Sequence, residues 1–492
     1  MNTLTHDIAR FVHTFDQSKV PPHAYQLATT GIIDCMGCMF AGAHEPLVQV
    51  LRQHFTQTTS AQTDSSIPVP FLGASFRHTD AACLWAAASH ALDYDDVAMS
   101  AHPSTVLMPA VMTAAWALSS SGADVLNAYI IGYEIWAELF GREPDPYHLK
   151  GWHPTAVFGT VAAAGALAYL YRLDQQTTIM ALGIAASMAS GLVANFGTMT
   201  KPYHAGRAAA NAVEAVQLAR LGLTACADVF EHKAGFLNAI SPGGRVDINQ
   251  AMTSDRALHI TESGLNIKRY PVCYSSHRII DGMLTLVQQH RLTPEAIASI
   301  DATIGRPQAS MLRNPRPVTK LEAKFSLEFA IAAALLAGKV GLAELSDAFV
   351  NRAQLQAFYP KIRVHAIDDP DPADPAFAMT DRLCVTLTNG TTLDSGPIRY
   401  PSGHARLPLT RQQLQEKFMD CVANGNANLN TNNGHSTGNA NGDLNRNANG
   451  LADRNATPTA PQAGLDRVRA RQLYKTLDRL PDVANIRVLF AA

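Results

Sequence analysis

Two long stretches, residues 97–123 and 175–200, contain no Asp, Glu, Lys or Arg, and they constrain this chain more than any other feature. Chains of such composition do not lie in water as exposed loops. Nor do these read as membrane spans, which want about 20 mostly large apolar residues. Both carry Ser, Thr, Asn, Pro or His among many Ala and Gly. They read as buried helices of a helical domain. Ala-rich stretches recur at 81–92, 106–119, 123–139, 155–171, 178–193 and 207–221, separated by short polar breaks. In the last, Ala208, Ala212, Ala215 and Ala219 approximate one helical face. So much Ala and Gly implies close helix–helix approach. Charged residues make up 16% of the 492 against an ordinary ~25%, so much of the chain must be buried. With 47% hydrophobic residues, a disordered regulator is excluded as the overall description.

The pattern changes after residue 265. Ile300, Ala302 and Ile304 alternate, as do Ile362, Val364 and Ala366, and then Leu383, Val385 and Leu387. The last run leads into Asn389-Gly390, a strong hairpin signal between alternating runs. Helical stretches at 278–289 and 321–336 lie between the strands. The expected organisation is an all-helical domain over 1–265, completed by 405–422 and 466–492, with an α+β lid over 266–404. From 423 to 465 Asn and Gly dominate and almost nothing is apolar. Such a segment cannot bury enough surface to offset its ordering entropy, and it is expected to be a disordered insertion. The helices on either side, 410–422 and 466–480, are expected to pack together, because loop-closure cost grows slowly with length.

Lys and Arg total 39 and Asp and Glu 41, so no charge footprint for nucleic acid or an anionic membrane exists. Seven scattered cysteines form no disulfide framework, and a reducing compartment fits. Cys35-Met-Gly-Cys38 has redox or metal spacing but lies in an apolar run with no second pair. It reads as core cysteines. The N-terminus is amphipathic and lacks the apolar centre of a signal peptide, so a cytoplasmic location is expected.

Four segments concentrate polar groups beside these uncharged helices. His90-Ala-Leu-Asp93-Tyr94-Asp95-Asp96 is followed by His102-Pro103-Ser104. Three carboxylates so close together repel and need cations, hydrogen bonds, a metal or solvent. Gly151-Trp152-His153-Pro154-Thr155 again sets a His before Pro at a helix entrance. Lys201-Pro202-Tyr203-His204-Ala-Gly206-Arg207 brings three cationic groups to a helix N-terminus, a natural anion site. The residue before Pro is biased to extended backbone, which applies to His102, His153 and Lys201. Lys268-Arg269-Tyr270-Pro271, with Ser275-Ser276-His277-Arg278, lies at the seam between the two units, a preferred place for a ligand cleft. No phosphate-binding glycine loop and no HExxH motif occurs. The chemistry that fits is proton transfer on a small, multiply negative molecule held by cations.

The same four segments carry a family resemblance. HALDYDD with its following HPS, then GWHPT, TKPYHAGRAA, IKRYPVCYSSH, EAKFSLEFAIAAALL and YPSGHARLPL leading to EKF resemble the MmgE/PrpD family. That family includes 2-methylcitrate dehydratase, cis-aconitate decarboxylase and iminodisuccinate epimerase. The resemblance covers nearly the whole chain except the Asn/Gly insertion. It implies a large helical domain built from both chain ends, a smaller α+β lid, a homodimer, and no metal or organic cofactor. It implies Asp93, His102, His153, Lys201 and Lys268 as catalytic residues. His204 and His277 fall in matching motifs and join Arg207 as candidate substrate contacts. Family decarboxylases of the animal type commonly carry Thr where Val97 stands and Tyr where Phe329 stands. Two hydroxyls that would orient a carboxylate are therefore missing.

The leading expectation is a cofactor-independent lyase for a small di- or tricarboxylate such as 2-methylcitrate, citrate or cis-aconitate. In it Lys201 and Lys268 clamp carboxylates, His102 and His153 act as acid and base, and Asp93 orients a His. Three alternatives stand beside it. The first is an epimerase or isomerase using the same residues, since each reaction builds charge beside a carboxylate. The second is a metal-dependent hydrolase using Asp93, Asp95, Asp96 and His102, although alternating side chains should not all converge. The third is a carboxylate binder without turnover.

Overall fold

Residues 97–123 and 175–200 supply the helices Ser104–Leu118 and Gln175–Met188. Every side chain from Ser104 to Ala115 is buried, although the helix includes Pro109. The computed structural model describes residues 3–58, 66–252, 256–372, 374–432 and 465–490. These form a large helical part and a smaller α+β part. Among the described residues no helix is long and apolar enough to cross a membrane.

Two large apolar cores account for most of the interior, with a small third cluster of Cys38, Ala41, Leu92, Tyr94 and Cys421. The first draws on residues from Leu4 to Ile267 and is completed by Leu414, Phe418 and Val422 and by Leu473, Leu477 and Leu489 near the C-terminus. The second runs from Tyr270 to Val385. Small residues let backbones touch in the first core. Helix His78–His90 packs against Pro22–Gly42 and Thr200–Arg220. A Cβ on Gly42 would strike the Ala88 carbonyl, and one on Gly206 would stand 2.9 Å from the Cys83 carbonyl. The helix ends at His90. Cys35 and Cys38 are fully buried in helix Pro22–Gly42.

The second part is built on a four-stranded sheet in the order Ile362–Ile367, Ile297–Gly305, Arg382–Leu387, Thr392–Asp394. The first two strands are parallel, with Ile300 opposite Ile362, and the residues between them form a largely helical crossover. The last two are an antiparallel hairpin, with Gly390 at φ 87° in its turn. A single helix expected over 321–336 is broken into Lys320–Ala323 and Leu327–Ala337. The Ser326 side chain accepts from Phe329 N and starts the second helix, a cap that competes with continuous helix.

The two terminal helices pack as expected. Phe418 lies 5.6 Å from Tyr474 between ring centroids, and Tyr474 Oη donates to Arg411 O. The first of them is longer than expected, running Arg411–Asn432 into the Asn/Gly stretch. Gly425 explains part of this extension, because it is buried with no room for a Cβ against the Phe40 backbone. The remainder of the expected insertion, 433–464, lies outside the described residues.

Candidate active site

The site forms where four helix ends meet. His90 is the last residue of His78–His90, and His153 caps the N-terminus of Pro154–Leu170 with extended backbone. His102 precedes Ser104–Leu118 on a loop. Lys201 and His204 lie in the first turn of Thr200–Arg220. Lys201 is helical rather than extended as its Pro neighbour suggested. Pro202 falls in the first turn, where its missing N–H has no partner to lose. Lys268 reaches in from the chain just before the second core.

The loop between His90 and Ser104 is strained. Asp93, Met99 and Ser100 have φ of 54°, 51° and 52°, three of the six non-glycine residues with positive φ among those described. Such strain persists only where surroundings over-determine the backbone, and it concentrates at functional sites. Its effect is to aim Asp93 at the cations. Asp93 Oδ1 lies 2.9 Å from Lys201 Nζ, 3.2 Å from Lys268 Nζ and 3.5 Å from His102 Nε2. Burial opposes ionisation of Asp93, but Lys201 and Lys268 outweigh it and hold the carboxyl well below its usual range. Two ammonium groups thus share the one Asp93 carboxylate.

Asp95 makes a second centre. His90 Nδ1 lies 3.0 Å from both its oxygens, and His102 Nδ1 is 3.2 Å from Oδ2. Burial again opposes the charge, and the two imidazoles overcome it and lower the Asp95 pKa. The imidazoles are contiguous. Ring centroids stand 4.5 Å apart for His90 and His102, 6.2 Å for His90 and His153, and 5.3 Å for His153 and His204. His153 Nδ1 and His204 Nδ1 share a hydrogen bond of 3.1 Å, so one donates and the other accepts. Burial lowers the pKa of His90 to about 4 against the opposing pull of Asp95, and burial and then neighbouring charges lower those of His153 and His204. The neutral imidazole is favoured at all three. Phe196 closes one side, edge-on to His153 and 5.4 Å from Lys201 Nζ.

Of the sequence candidates, Asp93, His102, His153, Lys201, Lys268 and His204 meet in this cluster. Arg207 and His277 do not. Arg207 Nη2 donates to Asn211 Oδ1 at 2.6 Å, within its own helix. His277 is fully buried at the start of His277–His290, with Nε2 3.2 Å from Val272 O and its ring beside Tyr270 and Tyr274. Phe329 lies in the second core, edge-on to Phe349, an apolar setting. Val97 is held through its backbone, exchanging two 2.9 Å hydrogen bonds with Asn266.

His90 and Asp95 also belong to the cluster, although sequence reasoning assigned His90 no role and Asp95 only that of a metal ligand in the hydrolase alternative. Their signal was the same HALDYDD segment, but only the tertiary fold shows that Asp95 bridges two imidazoles. His90, Asp93, Asp95 and His102 each offer a ligand atom within 4.8 Å of the others, a set that could hold a metal ion. Asp96 is outside that set, so the three acids do not converge. Lys201 and Lys268 already aim ammonium groups at Asp93, and a cation placed there would face both.

Burial lowers the His277 pKa to about 3. A depressed folded value means that the unfolded chain binds the extra proton below about pH 6.5. The stability from a neutral His277 is therefore present above that pH and is lost as pH falls toward 3. At pH 5 the loss is about 2 kcal/mol for this one group. His277→Gln should shrink the drop in urea-unfolding free energy between pH 7 and pH 5 by about that amount. Comparison with the parent protein separates this share from Asp34 and Asp381, raised to about 6 by burial and acting with opposite sign.

Comparison with known proteins identifies the family. The MmgE/PrpD N-terminal domain matches residues 6–249 and the MmgE/PrpD C-terminal domain residues 270–428. The chain is 28% identical to human cis-aconitate decarboxylase, over 85% of this chain and 87% of that protein. It is 25% identical to cis-aconitate decarboxylase of Aspergillus terreus, over 84% of this chain and 88% of the relative. It is 24% identical to 2-methylcitrate dehydratase of Escherichia coli K12, with the same coverages of 84% and 88%. With both domains matched in order along its length, the chain belongs to the MmgE/PrpD family.

Proposed function

We propose that the chain is a lyase that removes water or carbon dioxide from a small tricarboxylate such as 2-methylcitrate, citrate or cis-aconitate. The observation that carries this reading is the convergence of Lys201, Lys268 and His102 on the single carboxylate of Asp93. A guest carboxylate at this point is held by the ammonium groups that hold Asp93. Asp93, Lys201 and His102 have side chains 21%, 16% and 12% exposed, whereas Lys268 is at 3% and His90 and Asp95 at zero. A guest therefore meets the first three, and the others form the floor. His90 Nε2, buried and without a hydrogen bond among the described residues, is a further polar group for the guest to satisfy.

In dehydration, a neutral imidazole takes the proton from the carbon beside a carboxylate. The electron pair forms the double bond, and the departing hydroxyl leaves as water with a proton from a second acid. In decarboxylation, the electrons of the broken carbon–carbon bond stay on the substrate carbon, which then takes a proton. Both build negative charge that Lys201 and Lys268 are placed to stabilise. Exposure ranks His102 first as proton carrier. His153, buried and tied to His204, follows as its partner. The chain's own residues supply every acid, base and charge in this scheme, so the reading includes no cofactor. It also includes a homodimer acting in the cytoplasm, for which sedimentation and localisation are the tests.

The deciding experiment is product identification by NMR. Protein prepared with chelator is given 2-methylcitrate, citrate and cis-aconitate in D2O. Loss of water or carbon dioxide from one of them is expected. Deuterium exchange without either loss would replace the lyase by an epimerase.

A further inference from the structure

Three buried lysines grip three consecutive backbone carbonyls of the strained loop. Lys324 Nζ donates to Leu92 O at 3.0 Å, Lys268 Nζ to Asp93 O at 2.6 Å and Lys417 Nζ to Tyr94 O at 2.8 Å. Their residues are 8%, 2% and 7% exposed. They arrive from separate places: Lys324 follows helix Lys320–Ala323 in the α+β part, and Lys417 lies on Arg411–Asn432. Lys324 and Lys417 sit in the EAKF and EKF stretches, to which the proposed reaction assigns no role. Burying an ammonium group costs several kcal/mol, and a neutral donor would satisfy a carbonyl more cheaply. Lys417 has a carboxylate in reach, Asp34 at 2.5 Å, and lies 4.0 Å over the Tyr94 ring. Lys324 has no carboxylate within ion-pair distance among the described residues, and burial lowers its pKa to about 8. Its ammonium group serves a loop carbonyl.

We propose that Lys324 and Lys417 are positioning residues that, with Lys268, clamp the carbonyls of residues 92–94 and thereby hold Asp93 and Asp95 against the imidazoles and Lys201. This rests on the reading of Asp93, His102 and Lys201 as the reacting face. Asp93 at φ 54° cannot be held by its own helix, which has already ended at His90. The clamp supplies the missing restraint from both parts of the molecule, so the seating of the α+β part is transmitted to the loop through Lys324.

The test uses the full chain with Lys324→Met, which keeps the stem and removes the donor, and Lys324→Gln, which keeps an N–H without the charge. On a polycarboxylate that the parent enzyme turns over, Lys324→Met should lower kcat by about 10- to 100-fold, since a displacement of 1 Å is worth up to that much. KM should stay within about threefold, and Lys324→Gln should recover most of the loss. A crystal structure of Lys324→Met should show Leu92 O turned and Asp93 displaced from Lys201. If Lys324→Met does not fold, Lys417→Met combined with Asp34→Asn detaches Tyr94 O without leaving an unpaired buried charge and is judged in the same way. An unmoved loop, or an unchanged kcat, overturns the clamp. If the parent protein turns over none of the three acids, the lyase reading fails, and the position of residues 92–95 in the variant alone decides for or against the clamp.

Discussion

Replacing His102 by Gln is expected to lower kcat by about 10²- to 10⁴-fold on the polycarboxylate the enzyme accepts, with KM changed little. The asymmetry follows from the division of labour at Asp93. Lys201 and Lys268 hold charge, and both remain in the variant. His102 alone contacts both carboxylates, through Nε2 to Asp93 and Nδ1 to Asp95, and its side chain is open enough to meet a guest. Gln fills similar space and still hydrogen-bonds, but it takes up no proton. The thermal midpoint should therefore move by only a few degrees, roughly the effect of 1 kcal/mol in a chain of this size. Steady-state kinetics and a melting curve on the same preparation check both halves. Full turnover by the variant would remove His102 from the chemistry, and His153 with His204 would then be the proton carrier to examine.

Lys268→Met should damage both activity and stability, because Lys268 serves the guest and the scaffold at once. Losing one preorganised cation beside developing negative charge is worth about 10²- to 10³-fold in kcat. Lys268 is nearly enclosed, and its removal leaves Asp93 O without its donor. An unsatisfied buried carbonyl costs about 1–3 kcal/mol, while the Asp93 carboxylate keeps Lys201 as its partner. The pH dependence gives a separate signature. The folded Asp93 pKa lies below the unfolded value near 3.9, so its contribution is present above that value and is lost as pH falls through the folded one. Without Lys268 the folded value rises toward the unfolded one, so the acid-induced loss from Asp93 should be smaller and should end at higher pH. Urea unfolding at pH 7 measures the loss of stability, and a series from about pH 5 down to about pH 2 measures the change in its acid dependence. Asp93→Asn added to Lys268→Met should recover stability without recovering turnover. A variant that loses activity but keeps parental stability would show that Asp93 does not depend on Lys268 for its charge.

The helical part was legible because its cause is local. Six expected Ala-rich stretches correspond to the helices His78–His90, Ser104–Leu118, Gly122–Phe140, Pro154–Leu170, Gln175–Met188 and Thr200–Arg220, with their ends shifted by capping. Asp174 and Ser121 each accept from a first-turn amide and set two of those starts. The hairpin at Asn389-Gly390 was legible for the same reason, since the glycine conformation it requires is a property of the dipeptide. Misreadings came where packing or capping overrode local preference. Ser326 broke a helix that apolar content favoured, and contact with Phe40 carried another into Asn and Gly.

A mainly helical chain with uncharged buried helices, an α+β remainder and four polar segments able to serve an anionic substrate can all be read from the order of the residues. Each follows from composition or short-range spacing, which act through burial and backbone geometry near a residue. Which of those polar groups meet depends on how the helices pack. That packing put Lys201, Lys268 and His102 on Asp93, tied His90 and His102 through Asp95, and sent Arg207 and His277 elsewhere. The physical reason is that an ionisable group's partners lie across the fold rather than along the chain. Lys417 and Tyr94 stand 323 positions apart in sequence and 2.8 Å apart in space.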